Sequence, residues 1–413
     1  MKDEAEHTTL TSASQSLTEF IEREFPKRLH SPAGSLRHPY LDPAGEHYVD
    51  SLWDWDAHFC AAGLRPWAAQ VAEHVQGSLL NFLDFQGKDG HIPYALNPDS
   101  EYRNERDPEQ PWNSAKPILA QFALLALEYG RAASHNLLDE SALYGPLLRH
   151  MDHWEETQRA PSGLLTFRSH RGSGTDNHPA VFARPFNSSA DVFLNCLAIR
   201  EYDAVESLAR TAGDHGAAKR CAERARTLRR TVRERMWDPI DGMFYNIDEA
   251  RQDVGEINQT PDWPVPLKFR MWTGFLPLWA EAAAPRQAKR LVEEHLINAE
   301  EFLSPNGIRS MAKNEPAHTL FRGGNPSNWQ GPVWTVSNAM IVRGLLRYGF
   351  RSEAEQIADS LLGMLARDLR TTGCLHEYYH PETGEGLTHP GFFDWNTLAA
   401  VLEGDVHRAV QSV

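Results

Sequence analysis

The sequence predicts an all-α fold, an (α/α)6 barrel of helical hairpins, and three observations carry that expectation. Apolar residues recur with helical period over eleven segments spread from residue 14 to residue 403. Short extended pieces centred on glycine stand between them: Lys88-Asp-Gly-His-Ile-Pro-Tyr94, Ser162-Gly-Leu-Leu-Thr-Phe167, Asp241-Gly-Met-Phe-Tyr-Asn246, Asn306-Gly-Ile-Arg309 and Thr372-Gly-Cys-Leu375. These pieces return at intervals of roughly 65 to 80 residues, the length of two helices with their connections. No shift in composition and no linker marks a boundary, so residues 1–413 are expected to form a single catalytic domain, with 1–12 as a flexible lead-in.

In chain order the predicted helices are 14–25, 66–86, 116–134, 138–158, 188–211, 215–236, 266–282, 285–298, 331–348, 352–369 and 394–403. Each has an apolar stripe with polar residues opposite, which suits a helix packed on one side. A ring of such hairpins gathers its long loops at one end, where short β-hairpin-like segments are expected. The stretch 97–113 is long, polar and without period, and is expected to form a rim or lid over a cleft.

Composition narrows the function. Formal net charge is −15, with the acids distributed along the chain, which disfavours nucleic acid or an anionic membrane as partner. No run approaches the ~20 apolar residues of a membrane span. The leading residues include Asp3, Glu4 and Glu6 and lack the pattern of a signal peptide, so the cytoplasm is the expected location. Cys60, Cys196, Cys221 and Cys374 are scattered, as reduced thiols would be. Several of the 12 Trp stand beside carboxylates or other polar groups, in what read as loops: Trp53, Trp55, Trp329, Trp334 and Trp395. Indole faces beside carboxylates suit the C–H faces and hydroxyls of a sugar.

Four motifs hold the candidate chemistry. Leu52-Trp-Asp-Trp-Asp-Ala-His-Phe59 crowds two indoles and two carboxylates into four positions. An unpaired carboxylate is costly in a core. The stretch is therefore a sugar platform or, more plainly, a helix start capped by an Asp. Arg171-Gly-Ser-Gly-Thr-Asp176-Asn-His-Pro179 is a glycine-rich turn with one acid, and it lacks the Lys-Ser/Thr of a phosphate loop. Gly324-Asn-Pro-Ser-Asn-Trp-Gln-Gly-Pro-Val-Trp334 leads into an apolar helix. Near the C-terminus, His376-Glu377-x-x-His380 fits a zinc-protease pattern, with Glu403 as a conceivable third ligand. Tyr378, Tyr379 and Pro381, with Gly373, Gly384 and Gly386 around them, argue against the helix that zinc chemistry needs.

Glu377-Tyr-Tyr-x-Pro-x-Thr-Gly-Glu385, with Trp395 in Asp-Trp-Asn-Thr-Leu-Ala-Ala, resembles glycoside hydrolase family 63 and within it the bacterial mannosylglycerate and glucosylglycerate hydrolases. The resemblance implies an inverting α-glycosidase of glucosidase or mannosidase type, acting on a small α-linked glycoside or oligosaccharide without metal, nucleotide or redox cofactor. It makes Asp176, in Gly-x-Asp-Asn-x-Pro, the general acid and Glu377 the general base. It further implies substrate contacts from Trp53, Trp55, Asp56, Phe59, Lys116, Asn177, Trp329, Gln330, Gly331, Trp334, Tyr378 and Trp395. Lys116 stands where relatives have Gln; Asn328 and Gln330 replace an aromatic residue and an Arg; His178-Pro-Ala-Val replaces Ser-Pro-Arg-Trp. Only residues 181–187 occupy the place of a long insertion that grips glycerate in relatives, and Arg184 is the polar group there that could meet an anionic aglycone. Three rival readings remain: a sugar 2-epimerase using His91, His376 and His380, a zinc peptidase, and a glycan-binding protein without turnover.

Overall fold

Helices on the inside of the molecule are buried on every side, and those outside bury one stripe. In a computed structural model, residues 2–43, 48, 51–99, 113–250, 263–321 and 327–411 are described, with the side chains of 13–407 among them. The helices are α1 (Lys2–Glu24), α2 (Asp54–Gly63), α3 (Ala68–Asp84), α4 (Leu119–Ala132), α5 (Glu140–Gln158) and α6 (Val192–Thr211). They continue with α7 (His215–Arg235), α8 (Leu276–Trp279), α9 (Pro285–Arg290), α10 (Thr335–Arg347), α11 (Arg351–Thr372) and α12 (Ala399–Gln411).

α2 packs on α4, α4 on α6, α6 on α8, α8 on α10, α10 on α12, and α12 back on α2, so the even-numbered helices close an inner ring. The outer helices follow their inner partners, α3 on α4, α5 and α7 on α6, α11 on α10, while α1 packs against both α11 and α12. This is the (α/α)6 barrel. Position in the ring explains the two sequence patterns. α6 buries Val192, Phe193, Leu194, Asn195, Cys196, Leu197, Ala198 and Ile199 in succession, as an inner helix must. α7 buries Ala217, Ala218, Cys221, Ala225, Leu228 and Val232, the single stripe of an outer helix.

The starts and stops are chemical. Asp191 caps α6 by accepting from the Leu194 N–H at 3.1 Å, and Asp214 caps α7 by accepting from Ala217 at 2.8 Å. Gly373, with φ of +78°, ends α11 in the left-handed conformation that glycine adopts without strain. Glu201 on α6 is wholly buried and accepts from the N–H groups of Ala120 (2.6 Å) and Gln121 (3.2 Å), tying two inner helices at the start of α4. Burial pushes its carboxyl up to about 7 against those bonds.

Four of the glycine-centred pieces form strands or bridges: Met243–Phe244 pairs with Trp237–Asp238, Gly307–Ile308 pairs with Leu303–Ser304, and Pro93, Leu165 and Thr166 make isolated bridges. Two expectations need correction. Residues 54–63 are the inner helix α2, so the Trp-Asp platform is its first turn and not a loop; a fully buried helix shows no amphipathic period. The predicted helix over 266–282 is a strand at Pro266–Leu267, a 3-10 turn over Trp272–Phe275 and the short α8. Most of the expected lid, 100–112, lies outside the described residues.

Candidate active site

Starts of several inner helices gather at one end of the ring. Asp54, Trp55 and Asp56 open α2, Lys116 precedes α4, Trp334 precedes α10, and the loops bearing Asp176 and Glu377 precede α6 and α12. A cavity of ≈520 Å3 opens at that end. Its wall contains Asp176 and Glu377 together with Trp53, Trp55, Asp56, Lys116 and Trp395. Tyr48, Tyr94, His170, Arg171, Gly174, Ser327 and Phe392 complete it.

Glu377 sits in non-helical backbone. The N–H of Glu377 donates to Thr388 O at 3.1 Å, and Tyr379 bridges Val333 on one side and Gly386 on the other. Asn396 donates to His376 O at 2.8 Å, and the His376 N–H donates to the Tyr379 hydroxyl at 2.8 Å. The side chain is 3% exposed, and its Oε2 meets His389 Nδ1 at 2.5 Å. Burial raises the carboxyl above its ordinary range, the His389 bond works against that, and Asp176 and Asp56 raise it further. The last two influences put both Asp176 and Asp56 in electrostatic reach of Glu377. Tyr48 reports the same cluster: burial, then Glu377, Asp176, Asp56 and Asp394, hold its hydroxyl well above the usual tyrosine range.

Asp176 is half-buried on a turn that Asn177 fastens to the 328–330 segment. Asn177 Oδ1 accepts from the Trp329 N–H at 2.7 Å, its Nδ2 donates to Asn328 Oδ1 at 2.9 Å, and Gln330 Nε2 donates to its carbonyl at 3.1 Å. Two of the departures from the family pattern, Asn328 and Gln330, thus hold the loop that bears Asp176. Gly174, at φ +72°, lets this loop lie on Trp55, since an added Cβ would stand 3.0 Å from the indole. His178 is a turn residue: burial holds its imidazole below its ordinary pKa, and Nδ1 accepts from Ala180 N–H at 3.1 Å.

Lys116 donates from Nζ to Asp54 Oδ1 at 3.0 Å, and its N–H donates to Asp54 Oδ2 at 2.6 Å. Its ammonium stands 5.2 Å from the centre of the Trp55 ring. The cation is paired, and Asp54 is its partner and not a sugar ligand. Asp56 faces the cavity with Asp394 behind it, carboxyl against carboxyl.

Seven expected substrate contacts stand elsewhere. Trp329 and Trp334 are fully buried and stack on each other, centroids 3.8 Å apart, behind Trp55 and Trp395. Tyr378 packs on Trp334 at 4.7 Å and carries the Glu377 loop. Gly331, at φ +147°, gives room to His318. Asn177 and Gln330 brace the acid loop, and Phe59 faces the opposite end of the barrel. Aromatic excess cannot by itself distinguish the wall of a site from the layer that supports the wall.

The rival chemistries lack their geometry. Residues 376–380 are not helical, so the two His do not share a face: His376 Nδ1 meets Asp368 Oδ2 at 2.8 Å, and His380 Nδ1 accepts from the Glu382 and Thr383 N–H groups at 3.2 Å. His91 lies beside His153, 5.4 Å between centroids, away from the cavity. None of the three His of the epimerase reading lines it. Arg184 is paired with Asp248 at 2.6 Å; the arginine of the wall is Arg171, in the first position of the acid-loop motif. Among the described residues no group of His, Cys, Asp and Glu is placed to hold a metal ion. No helix of the described protein is long and apolar enough to cross a membrane.

Residues 49–395 match the mannosylglycerate hydrolase MGH1-like glycoside hydrolase domain. The chain is similar to a mannosylglycerate hydrolase of Rubrobacter radiotolerans, 25% identical over 52% of this chain and 44% of that protein. It is similar also to mannosylglycerate hydrolase MGH2 of Selaginella moellendorffii, 24% identical over 83% of this chain and 78% of that protein. The match therefore spans less than half the length of the Rubrobacter relative. The structure of the GH63 mannosylglycerate hydrolase from Thermus thermophilus in complex with glucose superposes with a TM-score of 0.68 at 20% identity, over 94% of this chain and 99% of that one.

Proposed function

This chain belongs to the MGH1-like glycoside hydrolases of family 63, given the match over residues 49–395, and from that premise we propose an inverting α-glycosidase acting on a small α-linked glycoside or oligosaccharide. One observation supports the reading: a single cavity holds Asp176 and Glu377 in its wall together with Trp55 and Asp56, which the reading takes as the sugar platform. The domain reading goes with it, since α12 closes on α2 and one ring contains every residue concerned.

Asp176 gives its proton to the leaving oxygen as the glycosidic bond breaks. Glu377, ionised, takes a proton from the water that attacks the opposite face of the anomeric carbon, so configuration inverts. The buried Glu377 is a stronger base than an exposed Glu, and the His389 contact opposes its protonation. Trp55 stacks on the cleaved sugar and Asp56 accepts from its hydroxyls. Arg171 and His170 stand on the wall beside the acid, where the leaving group would lie. Phe182, 46% exposed, meets the His170 ring at 5.0 Å and extends that surface outward. Three buried free thiols, Cys60, Cys196 and Cys221, suit a reducing compartment such as the cytoplasm.

The test is a panel of α-linked disaccharides and glycosyl-acids followed by NMR. Hydrolysis with the β-anomer appearing first is expected. First appearance of the α-anomer overturns inversion, and turnover unaffected by Glu377→Gln overturns the site.

A further inference from the structure

Asp394 opens the 3-10 turn Asp394–Leu398 and is completely buried, and the proposed mechanism gives it no task. Its backbone is secured, with the N–H donating to Pro43 O at 2.7 Å and the carbonyl accepting from Thr397 Oγ1 at 2.8 Å. Its side chain is different. The Trp395 N–H lies near enough to favour its ionised form, but neither carboxyl oxygen, nor the covered Oδ2 of Asp56, has a well-formed hydrogen bond from a side-chain donor of the described residues. The two carboxyls lie within hydrogen-bonding reach of each other. Two ionised carboxylates in such contact, shielded from water, repel strongly; one shared proton turns the repulsion into a charge-assisted hydrogen bond.

We propose that Asp394 is a positioning residue that retains the proton of the Asp56–Asp394 pair and thereby holds Asp56 with one oxygen engaged and the other presented to the sugar. The inference rests on the reading of Asp56 as a sugar-binding carboxylate. Protonated Asp394 donates to Asp56, so Asp56 keeps its charge and loses its freedom to rotate. The surrounding charges fit this division. Lys116 favours the ionised form of Asp56, and Asp54, to which Lys116 is paired, opposes it more weakly. Glu377 and Asp56 both disfavour ionisation of Asp394. Tyr48 and Cys60, the other titratable groups facing the pair, are themselves held neutral by burial, and Arg28 lies over the adjacent Phe393 ring at 5.9 Å. Burial raises Asp56 to about 6, with the contact to Asp394 and the charge of Lys116 working against the rise, while Asp394 stands well above its ordinary range.

The experiment compares the full chain with Asp394→Asn, whose amide can still donate, and Asp394→Ala, which cannot. Calorimetry with free glucose and mannose reads the platform without requiring turnover. A loss of affinity of at least about tenfold is expected for Asp394→Ala, with most of it restored in Asp394→Asn. Infrared difference spectra at neutral pH should show a carboxylic acid band in the wild type that Asp394→Asn removes. Equal loss in the two folded variants, or a wild-type spectrum without that band, overturns the proposal. If Asp394→Ala does not fold, the band and the Asp394→Asn affinity still decide it. Sugar binding and the band with no hydrolysis of any α-glycoside would sink the proposed reaction and leave the shared proton standing.

Discussion

The barrel has a cavity at each end, nearly equal in size, ≈520 Å3 where the inner helices start and ≈560 Å3 where α2, α4 and α10 finish. Their chemistry differs. At the far end the charges are matched: Arg65 meets Glu128 at 2.9 Å and Arg343 meets Asp405 at 2.9 Å. At the near end Asp56, Asp176 and Glu377 crowd together, and the wall's lysine is already committed to Asp54. Volume alone marks neither as a site. What distinguishes the near end is like charge held close in low dielectric, which costs folding free energy and leaves groups poised to exchange protons.

The sharpest way to break this comparison is to neutralise the near-end carboxyls. Asp176→Asn and Glu377→Gln each should lower kcat by about 10²–10⁴-fold, measured on the best substrate of the panel. An α-glycosyl fluoride, whose leaving group needs no proton, should partly rescue Asp176→Asn and not Glu377→Gln; the reverse result would exchange their roles.

A smaller effect is expected on the platform. Trp55→Ala and Asp56→Asn should reduce kcat/KM by at least about tenfold, on the order of 2 kcal/mol, with circular dichroism unchanged. Wild-type kinetics in both would move the sugar elsewhere.

His389→Ala should act mainly through pH. Glu377 already protonates above the usual carboxylate range, and His389 opposes that rise. Because the proposed mechanism needs Glu377 ionised, the acid limb of kcat should move to higher pH when the imidazole is removed. An unmoved limb would detach His389 from the base.

The mildest outcome belongs to the far cavity. Asp405→Ala removes a partly exposed ion pair, so a loss of about 1 kcal/mol or less in a thermal melt and no change in kcat are expected. A large loss of activity would make the far end a functional site after all.

How much of this can be read from the chain depends on the kind of signal. One-sided helices such as α7 and α11 announce themselves by period. α2 does not, because an inner helix has no polar face, and its first turn reads as a loop. Asp176 and Glu377 are legible because each sits in a local motif with glycine or proline around it. Whether they act as acid and base is a matter for the kinetics above. His389, Tyr48 and Asp394 escape, since their significance comes from partners far away in sequence or from burial that no local pattern encodes. Trp329 and Trp334 mislead for the opposite reason: their residue type suits sugar, and their positions suit support.

The packing of α1 has a consequence for how the molecule is made. α1 finds its packing against α11 and α12, which follow it far along the chain, so its docking waits for both of them. Contacts of such sequence separation carry a large loop-closure entropy and form late. The segment bearing Glu377 and Asp394 lies between those two helices. A nascent chain can therefore build much of its helical wall before Glu377 and Asp394 reach the cavity. In such a chain, ring closure and the arrival of Glu377 in the cavity are one event.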